Sequence, residues 1–160
     1  MEQVKKFADQ VFTTLGAGFT ERIYHNAMEV LLRKNNIPFQ SEQNIPVMFE
    51  GENVGTVRAD LVINKSIVVE LKSVRSIKDD HSTQCGMYMK LLNIPYGVVI
   101  NFPCSDTESV TYQELTNITG CNRCGRENHD ASKCYAKRHA DGSLIENNVV
   151  QYIPSVTIRL

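Results

Sequence analysis

Asp60, Glu70 and Lys72 are spaced so that one short hairpin would bring them together. The β-branched runs Leu61-Val62-Ile63 and Ile67-Val68-Val69 flank a polar triplet, Asn64-Lys65-Ser66, and read as two strands buried on both faces around a turn. With a three-residue loop, Ile63 pairs with Ile67 and Asp60 falls opposite Glu70. Lys72 then projects from the same face as Glu70, because side chains alternate along a strand. Two facing carboxylates repel unless a cation sits between them. The pattern therefore predicts a divalent metal held by Asp60 and Glu70 with Lys72 beside it, and hard oxygen donors suit Mg²⁺ or Mn²⁺. A two-residue loop would slip the register by one and send the acids to opposite faces. The stretch would then be a hairpin whose strand ends carry solvated charge.

A second constellation lies near the C-terminus. Cys121, Cys124, His129 and Cys134 follow the spacing Cys-x2-Cys-x4-His-x4-Cys. Three thiolates and one imidazole complete a tetrahedral Zn²⁺ shell with no open position, so this metal is expected to be structural. A segment this short has no core, and metal binding must supply most of its folding energy. The spacing is that of a CCHC zinc knuckle, a unit that generally binds single-stranded nucleic acid. Arg123, Arg126 and Lys133 are candidate phosphate contacts and Tyr135 a candidate base-stacking residue. The knuckle either grips a nucleic-acid backbone or only braces the fold.

The elements that must position the hairpin can be read in order. Residues 2–14 carry Val4, Phe7, Ala8, Val11 and Phe12 on one helical stripe, and Gly16-Ala17-Gly18 breaks it. A second helix runs from about Phe19 to Lys34, with Ile23, Ala27, Val30 and Leu31 expected on its buried side and Glu21 and Tyr24 sharing a face. Ile37–Gln40 and Ile45–Phe49 read as short strands interrupted by polar residues and Pro46. After the hairpin, a helix from about Asp80 to Leu92 places Gln84 and Tyr88 on one face, with His81 a turn earlier. Tyr96–Asn101 is an apolar strand and Val110–Leu115 one more.

The wording of these elements resembles a known family. Gly18-Phe19-Thr20-Glu21-Arg22-Ile23-Tyr24 matches the pattern that names the GxxExxY proteins, and Arg58-Ala59-Asp60 with Val69-Glu70-Leu71-Lys72 continues it at the right spacing. These proteins are placed within the PD-(D/E)XK nuclease superfamily; here Ala59 stands where the superfamily has proline. The resemblance covers roughly the first 105 residues. It implies that Asp60 and Glu70 bind Mg²⁺, that Lys72 orients the attacking water, and that Glu21 supplements the metal site. Gln84 with Tyr88 resembles the third motif of RecB-like nucleases, where the glutamine positions the water or the phosphate. His81, Tyr24 and Tyr88 are then expected beside the substrate. The plainer alternative is an exposed glutamine and a packed tyrosine.

Taken together, these features predict an α/β fold, a restriction-endonuclease-like mixed sheet flanked by helices. The expected divisions are a nuclease-like domain over 1–116, the knuckle over 117–142, and a C-terminal strand within 143–160. The 160 residues carry a net charge of −1, so a nucleic-acid partner must be met by local basic patches. No apolar run approaches the ~20 residues that span a bilayer, and the first residues lack the apolar stretch of a signal peptide. The protein is therefore expected inside the cell, with reduced cysteines; the residues after the last zinc ligand also resemble tails on proteins of large DNA viruses. The expected activity is metal-dependent hydrolysis of nucleic acid, DNA more readily than RNA, by a chain that could pair as a homodimer. A non-catalytic nucleic-acid-binding adaptor on the same scaffold is the alternative.

Overall fold

The computed structural model describes residues 1–117. Cys121, Cys124, His129, Cys134, Arg123, Arg126, Lys133, Tyr135 and the strand expected within 143–160 lie outside the described residues. The elements run α1 (Glu2–Leu15), α2 (Glu21–Lys34), β1 (Phe39–Phe49), β2 (Glu52–Ile63), β3 (Ile67–Lys72), α3 (Asp79–Leu92), β4 (Tyr96–Asn101) and β5 (Thr111–Thr116). The strands form one sheet in the order β1-β2-β3-β4-β5. All neighbours are antiparallel except β3 and β4, which run parallel with α3 as the crossover between them. This is the mixed α/β sandwich expected from the sequence.

Each face of the sheet buries one apolar set. On one side, Leu61, Ile63, Val69, Leu71, Val98 and Ile100 pack against Val4, Phe7, Ala8 and Val11 of α1 and Tyr24, Met28 and Leu32 of α2. On the other, Val62, Val68 and Val99 pack against Cys85, Tyr88 and Met89 of α3. The α3 layer lies close because β4 offers Gly97 beneath it. A Cβ there would collide with Met89 Sδ and come within 2.9 Å of Cys85 Sγ.

Two expectations are corrected here. The buried stripe of α2 is Tyr24, Met28 and Leu32, all fully enclosed, and not the row that includes Ile23 and Val30. Those two are 42% and 40% exposed. Both rows have helical spacing, and Tyr24 wins because its ring stacks on Phe102 with centroids 4.2 Å apart. Second, the two short strands proposed over 37–49 are one strand of 11 residues. Among the described residues it is an edge strand, a position where proline is tolerated because one side of the backbone lacks a ladder partner. On α3, Met89 is buried and Met87 is 40% exposed.

The hairpin turn is the three-residue loop. Ile63 pairs with Ile67, and the Ser66 N–H donates to the Ile63 carbonyl at 3.0 Å. Asn64 and Lys65 both take left-handed φ, 51° and 53°, a conformation asparagine tolerates better than lysine. This loop sets the register on which the site depends.

Candidate active site

The β2–β3 ladder runs Ile63↔Ile67, Val62↔Val68 and Leu61↔Val69, then stops. One step further along, side chains replace the backbone partners. Asp60 Oδ2 accepts the Leu71 N–H at 2.8 Å, and Glu70 Oε1 accepts the Asp60 N–H at 3.4 Å. Each acid is thus fixed by the opposite strand's backbone, and the two converge on one gap. Lys72 Nζ reaches into it, 3.2 Å from Glu70 Oε2 and 4.0 Å from Asp60 Oδ2.

A bend in the neighbouring ribbon helps open this gap. Opposite Asp60, β1 carries Glu42 at φ 48°, and no residue pair bridges the two strands there. Toward the ribbon tip, Ile45 and Ala59 face the α3 layer; on the other side of Asp60 it is Val62 that does so. Odd-numbered positions thus give way to an even-numbered one across the Asp60 position. A left-handed φ at a residue with a Cβ costs about 1–2 kcal/mol, which the surrounding sheet must offset.

The electrostatics follow from burial. Glu70 is 1% exposed. Burial, then the charge of Asp60, push its carboxyl up to about 7, with Lys72 only partly opposing them. For Lys72, burial disfavours the charge, but Glu70, Asp60 and Glu21 outweigh it and raise the ammonium above its ordinary value. Lys72 is consequently protonated at neutral pH and acts as a hydrogen-bond donor. Glu21, at the first position of α2, is raised by burial; Lys72 opposes this, Asp60 adds to it, and His25 opposes it. Its carboxylate thus lies within electrostatic reach of the gap without entering it. No group of three His, Cys, Asp or Glu side chains among the described residues forms a metal-binding cluster. Glu21 is therefore not brought in as a third ligand beside Asp60 and Glu70.

The remaining predicted residues make hydrogen bonds of their own. Gln84 Nε2 donates to the Tyr88 hydroxyl at 2.7 Å. Among the described residues no hydrogen bond joins Gln84 to Asp60, Glu70 or Lys72. It does stand beside Cys85, whose buried thiol is pushed up to about 12 by burial and then by Glu70. That thiol stays neutral and is no nucleophile. Tyr88 is buried against the sheet and orients Gln84; contrary to expectation, its ring offers no face to a substrate. Tyr24 is also corrected. It is fully buried, and its hydroxyl donates to the Gly16 carbonyl at 2.8 Å and accepts the Phe19 N–H at 3.4 Å, bracing the loop ahead of Glu21. His81 uses Nδ1 to accept the Lys78 N–H at 3.2 Å, a cap at the start of α3.

One residue was not singled out from the sequence. Asn101 is 2% exposed and clasps Val74, accepting its N–H and donating to its carbonyl, both at 2.9 Å. It pairs with Lys72 across β3–β4, so it fixes where the chain leaves β3. Its signal was a lone amide ending the apolar run Tyr96–Asn101.

The donor chemistry suits a hard divalent cation. Two carboxylates, one of them almost wholly buried beside the other, are better satisfied by a cation than by a single ammonium. Mg²⁺ is ordinarily held by one or two carboxylates, with substrate phosphates and water completing its shell. Asp60 and Glu70 meet that need.

No curated protein matches the chain. Among solved structures, SSO0001 is 25% identical, with a TM-score of 0.47, over 59% of this chain and 48% of its own. The present chain thus spans about half the length of SSO0001. An alkaline exonuclease (LHK-Exo) from Laribacter hongkongensis is similar over 70% of this chain and 68% of its own, at 9% identity and a TM-score of 0.45. Residues 1–113 match the family model for the PD-(D/E)XK nuclease superfamily. That is well over half of the sequence, and the chain belongs to this superfamily.

Proposed function

We propose that the protein is a Mg²⁺- or Mn²⁺-dependent nuclease that hydrolyses phosphodiester bonds, with DNA as the favoured substrate. The observation that carries this reading is the convergence of Asp60 and Glu70, each anchored to the opposite strand, on the ammonium of Lys72. Asp60 and Glu70 are assigned as the ligands of the cation, which when bound supplies Lewis-acid charge at the scissile phosphate. Lys72 Nζ, protonated at neutral pH, donates a hydrogen bond to the oxygen on which negative charge develops as the phosphate is attacked. Gln84, held by Tyr88, is assigned to position the water or the phosphate, and Glu21 to tune the field of the gap from its edge. Cys121, Cys124, His129 and Cys134 are assigned a structural Zn²⁺, and the knuckle they form a supporting grip on the nucleic acid.

The test is cleavage of linear duplex, nicked and single-stranded DNA, and of RNA, in Mg²⁺ and in EDTA. Wild-type protein should release products only with the metal, and Asp60→Asn and Lys72→Met should not. Equal cleavage by those variants would overturn the assignment. Binding of DNA without products from any substrate would favour the adaptor reading.

A further inference from the structure

Beside the gap lies a second polar feature that the chemistry above does not use. Arg22, His25, Asn26 and Glu29 of α2 face Ser41, Glu42 and Arg58 of the β1–β2 ribbon across a cleft of about 470 Å³. Each wall continues in sequence to one of the candidate site residues. Arg22 follows Glu21, and Arg58 stands two residues before Asp60, on the strand paired with Glu42. Glu21 lies within electrostatic reach of Asp60 and Lys72 on one side and of His25 on the other.

The cleft's charges do not cancel as the list alone implies. Glu29 is bound by Arg33 at 2.8 Å and lies 3.4 Å from His25. Glu42 meets Arg58 at a loose 3.6 Å, with both side chains more than half exposed, a pairing of little strength in water. Arg22 has no carboxylate partner among the described residues. His25, Ser41 and Asn26 add polar groups to the lining; His25 Nε2 lies 3.1 Å from Ser41 Oγ. One guanidinium without a carboxylate partner among the described residues and one loosely paired, lining a cleft whose walls continue in sequence to Glu21 and Asp60, suit successive phosphates of a polymer better than an isolated small anion.

We propose that this cleft is the track for the strand entering the active site, with Arg22 and Arg58 gripping backbone phosphates next to the scissile one. Glu42 acts as a competing counter-charge that Arg58 must leave. This rests on the nuclease reading for its substrate class, but its test does not require catalysis.

Full-length protein carrying Glu70→Gln, which holds the substrate intact, is titrated against labelled single-stranded DNA, duplex DNA and RNA by fluorescence anisotropy at several salt concentrations. Arg22→Ala and Arg58→Ala should each weaken binding of the preferred polymer several-fold. Each should also flatten the slope of log affinity against log salt by about 0.7–0.9, the effect of one lost phosphate contact. Lysine at either position should restore the slope, and Glu42→Gln should tighten binding. Unchanged affinity and slope in both alanine variants overturns the track, as does failure of the parent to bind any of the three polymers. If the wild-type protein cuts nothing while the arginine effects appear as stated, the catalytic reading fails and the track stands.

Discussion

The two ends of the β2–β3 hairpin obey opposite rules. At the turn end, Leu61, Val62 and Ile63 face Val69, Val68 and Ile67 in a regular ladder, and nearly all six side chains are fully buried. At the other end, three residues away, the ladder stops, and carboxylates take over hydrogen bonds that backbone carbonyls would otherwise accept. The first end is stabilised by apolar burial and would fold around any similar side chains. The second gathers two acids and an ammonium where burial opposes their charges. The lesson is that the stable end positions the costly one: a register fixed by six aliphatic residues and a turn decides where Asp60 and Glu70 meet.

Four predictions sharpen this contrast, beginning with the largest effect. Glu70→Gln should lower Mg²⁺-dependent cleavage by on the order of 1000-fold. Several kcal/mol of charge stabilisation are lost, and each ~1.4 kcal/mol is tenfold. Its unfolding midpoint at neutral pH should not fall, as followed by thermal denaturation. At the opposite end, Leu61→Ala should cost about 2–5 kcal/mol of stability by leaving a cavity in the core. Denaturant unfolding checks this, and a loss well under 1 kcal/mol would show that the ladder end is not the anchor.

The third prediction concerns pH. Glu70 keeps its proton up to about 7 in the folded protein, against an ordinary value near 4.5. The folded state therefore binds more protons than the unfolded state between those values. Stability of the metal-free protein should fall as pH rises through that window, by at most about 3 kcal/mol, and be flat on either side of it. Urea titrations from pH 4 to 8, as an order-of-magnitude span around the window, should show the slope in wild type and not in Glu70→Gln. The smallest effect is at the turn. Lys65→Gly should raise stability by up to about 1 kcal/mol, because Lys65 holds a left-handed φ that glycine adopts freely.

Much of this arrangement was legible in the residues themselves. The β-branched runs and the polar triplet located the turn but left a two- or three-residue loop open, and the three-residue loop then fixed the register; the four elements from β3 to β5 begin and end within about one residue of where the pattern puts them. What escaped was decided by partners distant in sequence. Nothing near Tyr24 announces that Phe102 will stack on it, so two equally periodic stripes on α2 could not be ranked. Glu42 is neither glycine nor asparagine, so its left-handed bend opposite Asp60 left no trace in composition. Strict alternation placed the acids opposite each other, but gave no warning that the ladder would end there and hand its hydrogen bonds to their side chains. Asn101 was visible as an odd amide in an apolar strand, and only the path of Ser73-Val74 reveals its use.

The central claim is that the open end of the hairpin is a cation site built from Asp60 and Glu70. Calorimetric titration of Mn²⁺ into the 160-residue protein purified with Zn²⁺ present, beside the Asp60→Asn and Glu70→Gln variants, tests it most directly. The account predicts one Mn²⁺ site in the wild type that either substitution abolishes. Undiminished Mn²⁺ binding in both variants would contradict it.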